Sequence, residues 1–413
     1  MQNSKNKVLE GWKIDEHKVY AAVLAKIVRE KLRGLSIHID EIHFKELSAR
    51  IYSHISESES EIAFPKSILE LAEMSGHKGL LTIDVGGYDD DQLRELYEDT
   101  VSELVNDAQD ETSQKIYTQN YSQIARRLRK RKKGLKLFLS AHTNNWRETL
   151  DLLENFFLVC FDIGSKFNDE IRPGLSSDDF LLDALTRSHA RACQVSFEIL
   201  VLLRAGFADG AHARWRTLHE IAVITCFLNN HGNSMAERYL SYGRIQSYSD
   251  AKVHRENYRG IGEQPLSDEE FEKLTNEKEN LENKFGKEFS RPNGWAYPVL
   301  ADTRFTNIER SVGMNHLRPY YRMANINVHA GSTGLYFRLG QAGDYLETIL
   351  AGPSSLGIID PASGAAISMA QITTFTLMDR LSFDRLASLK ALQILLDNLH
   401  SEFQKLVTPN VDG

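Results

Sequence analysis

The sequence FLLDALTRSHARACQVSFEILVLLRAG, residues 180–206, is followed after two residues by DGAHARWRTLHEIAVITCFLNNHG, residues 209–232. Apolar residues recur at helical spacing in both segments. Gly206 ends the first segment, and the second begins after Asp209 and ends near Gly232, as helices commonly start and stop. The two segments therefore predict a pair of helices joined by a short turn.

Helical periodicity continues on both sides of this pair, from about residue 116 to the end of the chain. A new helix is predicted after an asparagine cap at residues 144–145. Ser267 and Glu270 stand at capping-box spacing before a polar helix. We predict a mainly α protein, with a helical bundle over residues 116–413.

Residues 1–115 are less regular. The four-residue apolar spacing in VYAAVLAKIVREKL, residues 19–32, predicts a helix. The stretch LLTIDV, residues 80–85, predicts a short strand before a glycine turn and a further helix. This part is therefore predicted to be a smaller N-terminal α or α+β domain of unknown role.

The composition is that of a soluble globular protein, with 413 residues, 42% hydrophobic and 26% charged. No apolar run approaches the roughly 20 residues of a membrane span. The first residues, MQNSKNKVLEGWKIDEHK, lack the apolar core of a signal peptide. We expect a cytoplasmic location and no membrane partner. Cys160, Cys193 and Cys226 lie in apolar helical patterns, which predicts reduced core thiols.

A basic run contrasts with the net charge of −8. Eight basic residues lie between Arg126 and Lys136, in ARRLRKRKKGLK. Clustered lysine and arginine bind phosphates by releasing counterions, although no aromatic residue here would stack on a base. The candidate RNA-binding residues are Arg126, Arg127, Arg129, Lys130, Arg131, Lys132 and Lys133. The alternative is a solvated helix face.

The stretch HARWRTLHE, residues 212–220, places His212, Arg216 and His219 on one helical face. Two histidines with Glu220 could bind a metal, but their spacing of seven differs from that of catalytic zinc helices. Arg216 and Glu220 stand four residues apart and can form an ion pair. We favour a structural polar network of Arg216 and Glu220 and expect no metal or cofactor.

The stretch YYRMANINVHAGS, residues 320–332, places Arg322, Asn325 and His329 within one stripe of a helix. Histidine can take a proton from a ribose 2′-hydroxyl near neutral pH, and arginine can stabilise the charge that develops on phosphate. Asn325 could position either group. The candidate catalytic residues are therefore Arg322, Asn325 and His329. A hydrogen-bonded core histidine is the structural alternative.

The segments LLRAGFADGAHARWRTLHEIAV and LRPYYRMANINVHAGSTGL together resemble an uncharacterised bacterial family of unknown function. Its members share an arginine–glutamate helix and a later tyrosine–histidine helix, and the resemblance covers about residues 180–340. The second segment also resembles the Arg-x4–6-His motif of HEPN domains. That resemblance implies a homodimeric, metal-independent endoribonuclease of a toxin or phage-defence system, with Arg322 and His329 as the catalytic pair.

Two functions are therefore open. In the first, the protein cleaves RNA without a cofactor, and a partner protein such as an antitoxin accompanies it. In the second, it is a non-catalytic interaction or sensor module, in which Arg216, Glu220, Arg322 and His329 form a buried polar network that orders the bundle.

Overall fold

Helices are the regular secondary structure of the part of the chain that the structure describes. The structure is a computed structural model, and it describes residues 15–57, 63–79, 81–341 and 349–407. It is 79% helix, and its described residues form 12 α-helices and no strand. The predicted mainly α fold is confirmed.

The α-helices are α1 (Glu16–Gly34), α2 (Glu41–Glu57), α3 (Lys66–Met74), α4 (Asp90–Ile171), α5 (Phe180–Arg204), α6 (Ala208–Asn257), α7 (Asp268–Phe285), α8 (Phe305–Ser311), α9 (Arg318–Ile326), α10 (Thr333–Tyr336), α11 (Ile359–Met378) and α12 (Phe383–Val407). Single turns of 3-10 helix lie at Arg172–Gly174, Tyr258–Ile261, Lys287–Ser290, Gly294–Ala296 and Asn315–Leu317.

The chain divides into two compact units, Met1–Arg131 and Lys132–Gly413. The division falls within α4, later in the chain than the predicted boundary at residue 115. The helix also continues through Asn144 and Asn145, so the predicted cap there is wrong. Asparagine inside a helix costs less than about 1 kcal/mol, which flanking helical residues easily offset.

The first unit is built on α1, α2 and α3. Its core includes Leu32, Ile37, Ile51 and Ile68, which are almost completely buried. Residues 81–89 have no regular secondary structure, so the strand predicted at residues 80–85 is wrong over 81–85, while residue 80 lies outside the described residues. A strand needs a second strand to receive its hydrogen bonds, and the described part of this unit offers none.

The core of the second unit is formed by α5, α6 and α11, which pack against one another. Phe157, Trp215 and Phe227 are almost completely buried there. Trp215 Nε1 donates to Ser368 Oγ of α11 at 3.1 Å. A Cβ atom at Gly364 would lie 2.8 Å from Trp215 Nε1, so glycine is what allows α11 to approach the indole.

The turn between α5 and α6 depends on Gly206, which has φ +77°. The Phe207 N–H donates to the Leu202 carbonyl at 2.8 Å and ends α5 in the way that left-handed glycine caps do. A Cβ atom at position 206 would lie 2.6 Å from Phe138 Cζ. The predicted pair of helices is present, with Gly206 required both by its backbone conformation and by close packing.

Two further signals in the sequence appear as local structure. Gly232 has non-helical angles (φ 75°, ψ −164°) and breaks α6 where a helix end is predicted. The capping box is confirmed at the start of α7, where Ser267 and Glu270 bond to each other's backbone N–H groups. Both signals act locally, so they do not depend on the rest of the fold.

Cys160, Cys193 and Cys226 are free and buried, as the sequence predicts. Burial raises the pKa of the Cys160 and Cys193 thiols to about 12, so both are protonated and unreactive near neutral pH. Within the described ranges, no helix combines the length and apolar character that a membrane span requires.

Candidate functional site

A buried polar cluster lies where α6, α8 and α9 meet. The Glu309 carboxylate is completely buried, and its Oε1 lies 2.9 Å from Nε2 of His219, which is also completely buried. Its other oxygen, Oε2, accepts a hydrogen bond from Arg318 Nη1 at 3.0 Å. Arg318 Nη2 also donates to Thr306 Oγ1. Both oxygens of this carboxylate are therefore bonded, as burial of a carboxylate requires.

Tyr321 extends the cluster on the neighbouring side of α6. Its hydroxyl donates to Glu220 Oε1, and Arg216 Nη2 lies 3.0 Å from the same oxygen. The Arg216 and Arg318 guanidinium carbons each lie 5.0 Å from the centroid of the Tyr321 ring, within cation–π range. Burial and the bond to Glu220 raise the pKa of the Tyr321 hydroxyl, so it remains a hydrogen-bond donor.

We call Arg216, His219, Glu220, Glu309, Arg318 and Tyr321 the polar network. The pairing expected for Arg216 and Glu220 lies within it. Arg322 and His329 are both exposed and do not belong to the polar network. The prediction that these two residues form part of a buried network is therefore wrong. Its members are bonded to each other and hold three helices together, which is a structural arrangement.

The alternative metal set of His212, His219 and Glu220 does not converge. His219 bonds Glu309, while Glu220 bonds Tyr321 and Arg216. His212 stacks on Trp215 with ring centroids 5.3 Å apart, and neither of its ring nitrogens has a hydrogen-bond partner among the described residues. Burial lowers the pKa of His212 to about 4, against a smaller opposing effect of Asp209, so the imidazole is neutral.

The predicted catalytic stripe is only partly helical. Helix α9 ends at Ile326, and His329 lies in the turn that follows, where its N–H donates to the Asn325 carbonyl at 3.0 Å. Arg322 is exposed on α9 itself. The side-chain oxygen of Asn325 is buried and has no hydrogen-bond partner in the described chain. The structure therefore does not align the three side chains along one continuous helix.

His329 instead lines a cleft of about 520 Å³. The turn after α9 and helix α10 form much of this cleft, and the first turn of α6 contributes Asp209 and Gly210. Arg338 is the other basic residue that lines it, whereas Arg322 and Asn325 do not. Of the predicted catalytic residues, the structure places only His329 in this cleft.

Asp209 positions the chain that carries Arg338. Its carboxylate accepts the Leu339 N–H at 2.8 Å and lies 3.5 Å from the Gly340 nitrogen. Arg338 Nε donates to the Gly334 carbonyl at 2.8 Å, which fixes the plane of the guanidinium. No described carboxylate forms an ion pair with Arg338, so its terminal nitrogens are available to an anion.

The basic run lies on α4, and all seven candidate RNA-binding residues from Arg126 to Lys133 are exposed. Arg129 Nε donates to the Ala125 carbonyl of its own helix. The other six have no ion-pair partner among the described residues. The run is thus a solvated helix face with its charges available.

Sequence reasoning missed Glu309 and Arg338. Glu309 lies in NIERSVG, where nothing in the local pattern marks it as buried. Arg338 follows His329 by nine residues, a spacing that has no meaning for a helix. Arg318 and Tyr321 did carry a signal, because they stand three residues apart on α9.

A match to a known protein family covers the same region of the chain. Residues 182–345 match a family of unknown function, DUF5677. The DUF5677 region contains the polar network and the cleft, and it agrees with the family-like core predicted at about residues 180–340. No curated protein and no solved structure matches the chain. These comparisons do not support the resemblance to HEPN domains, which stays a prediction.

Proposed function

We propose that the cleft at His329 binds RNA and cleaves it without a metal ion. The observation that carries this proposal is the exposed imidazole of His329 on the wall of a cleft that also presents Arg338. An imidazole and a guanidinium that line one cleft can supply the general base and the phosphate-charge stabiliser for transesterification at a ribose phosphate.

The proposed reaction balances with these groups. His329 takes the proton of a ribose 2′-hydroxyl, and the 2′-oxygen forms a bond to phosphorus. The bond from phosphorus to the 5′-oxygen breaks, and that oxygen takes a proton from water. The hydroxide that forms takes the proton from His329, which restores the neutral imidazole. Arg338 binds the non-bridging phosphate oxygens while negative charge develops on them. The products are a 2′,3′-cyclic phosphate and a free 5′-hydroxyl.

The arginine that we assign to phosphate binding is not the arginine of the sequence motif. Arg322 belongs to the HEPN-like pattern, but it lies outside the cleft lining, so we assign phosphate binding to Arg338. The exposed basic run of α4 would add affinity that depends on salt and not on base sequence. Action within a toxin or phage-defence system, with an antitoxin-like partner, is part of the same proposal.

A second function is favoured by the polar network. Its members bond to one another across three helices, around the completely buried His219 and Glu309, and none of them lines the cleft, as expected of a module that binds a partner without catalysis. In that case the cleft binds RNA or another phosphate-bearing ligand and releases it unchanged.

The test uses the purified full chain with total bacterial RNA in the presence of a chelator. We compare wild type with His329→Ala, Arg338→Ala and Arg322→Ala, and with His316→Ala as a control at an exposed histidine outside the cleft. Thermal melting first establishes that each variant is folded.

Under the proposal, wild type, His316→Ala and Arg322→Ala produce fragments that end in cyclic phosphates, while His329→Ala and Arg338→Ala lose at least a hundredfold in rate. Loss of activity in Arg322→Ala alone would return the phosphate-binding role to the sequence motif. If no protein cleaves, but Arg338→Ala weakens binding of labelled RNA, the non-catalytic function is correct.

A further inference from the structure

The middle of α4 has no partner in the described chain. From Gln109 to Arg131 every side chain is exposed except Asn120, which is half-buried. Helices of this length in proteins are stabilised mainly by packing of one apolar face. This segment has such a face but packs it against nothing described.

The apolar face consists of Tyr117, Tyr121, Ile124 and Leu128, which we call the α4 stripe. Their side chains are 61%, 67%, 47% and 50% exposed, respectively. They are spaced by four, three and four residues, the heptad spacing of a coiled coil. The Tyr117 and Tyr121 rings stack with centroids 6.0 Å apart, so they form one continuous surface. Heptad spacing indicates that the partner is another α-helix.

The charges on either side of the α4 stripe indicate which partner helix, in which orientation, is complementary to it. Asp107, Asp110 and Glu111 lie six to ten residues before the stripe, and Lys132, Lys133 and Lys136 lie four to eight residues after it. A parallel pair of these helices would place basic residues against basic residues. An antiparallel pair places the acidic turns of one helix beside the basic turns of the other.

We propose that the α4 stripe pairs with the α4 stripe of a second copy of this chain, in an antiparallel two-helix coiled coil. The arrangement has twofold symmetry, so one surface serves both copies. Arg126 and Lys130 project from the opposite side of the helix at 100° per residue, so pairing leaves them free to contact phosphates.

The first experiment measures the mass of the full chain in solution at micromolar concentration. We expect twice the chain mass of 46.9 kDa for wild type. The double variant Ile124→Asp with Leu128→Asp places four carboxylates in the pair and should be a monomer. The control, Gln119→Asp with Gln123→Asp, makes the same charge change on the outward face and should remain a dimer.

A monomeric wild type would overturn the proposal. So would a dimer that persists in the stripe variant, because the contact would then lie elsewhere. Circular dichroism must show equal helix content in both double variants, since the substitutions are meant to remove a contact and not the helix.

The orientation is tested by spin labels at Thr112→Cys and, separately, at Gln119→Cys. Both positions are exposed on the outward face, and the native cysteines are buried. Moving a label by seven residues changes the separation along an antiparallel pair by about 20 Å, so the two measured distances should differ by about 10 Å or more. Equal distances for the two labels would show a parallel pair and overturn the proposed arrangement.

Discussion

Glu309 Oε1 lies 2.9 Å from His219 Nε2, and neither side chain is exposed to solvent. The second carboxylate oxygen of Glu309 accepts a hydrogen bond from Arg318. A single acidic residue of α8 therefore satisfies polar groups from α6 and α9. This one carboxylate therefore connects α6, α8 and α9.

Replacing Glu309 with alanine should lower the free energy of unfolding by about 3–5 kcal/mol, because it leaves the completely buried His219 without its carboxylate partner and removes one of the two hydrogen bonds of Arg318. Urea unfolding followed by circular dichroism measures this. The control is Glu402→Ala, which removes an exposed ion pair with Lys405 and should cost less than about 1 kcal/mol. Equal effects of the two variants would show that the buried carboxylate has no special role.

Tyr321→Phe removes the hydroxyl that donates to Glu220 and keeps the ring between the same neighbours. We expect a loss of about 1–3 kcal/mol in unfolding free energy, because a part-buried carboxylate oxygen loses a donor. Tyr320→Phe is the matched control, since the adjacent ring is 47% exposed and should change stability by less than about 0.5 kcal/mol. A cost for Tyr320→Phe as large as that for Tyr321→Phe contradicts the assignment.

His212 makes the fold sensitive to acid. Burial lowers its pKa to about 4, while an unfolded histidine has a pKa of about 6.5. Between these values the unfolded state binds the proton and the native state does not, so stability falls as the pH falls from 6.5 to 4.

The unfolding free energy of His212→Leu should decrease by up to about 3 kcal/mol less than that of wild type between pH 6.5 and pH 4. The reason is that leucine does not titrate and needs no hydrogen bond. Unfolding in urea at several pH values measures the slope. Burial also lowers the pKa of His189 to about 4, so part of the slope should remain in the variant. An unchanged slope would mean that the native state already binds a proton at His212.

Gly364→Ala should destabilise the protein by about 1–3 kcal/mol, since the new methyl group overlaps the buried indole of Trp215. Gly243→Ala is the matched control in α6, where a Cβ atom meets nothing within 4 Å. That control should stabilise the helix by about 0.5–1 kcal/mol. Thermal melting compares the two variants, and a shift in the same direction for both would show that α11 can move away from Trp215.

The local signals of the sequence were sufficient for most helices. Apolar periodicity, Gly206, Gly232 and the Ser267–Glu270 capping box each act within a few residues, so they predict the same structure in any context. The asparagine cap and the strand at residues 80–85 were wrong because a weak local preference gave way to the surrounding helix or lacked a pairing partner.

The candidate site was less predictable. The pairing of Arg216 with Glu220 follows from a spacing of four, and the sequence singled out His329 as a candidate. Glu309 and Arg338 could not be found in this way, because each reaches its neighbours from a separate segment of the chain. Contacts between distant segments leave no periodic trace in a sequence.

The sequence by itself determined a helical protein, its buried thiols, its basic run and the turn between α5 and α6, because these depend on composition and on neighbours within one or two helical turns. Only the tertiary structure decided that Glu309 joins His219 to Arg318 and that α9 ends before His329. It also placed Arg338 and not Arg322 in the cleft, because these outcomes depend on which helices pack together and on where burial requires a hydrogen-bond partner.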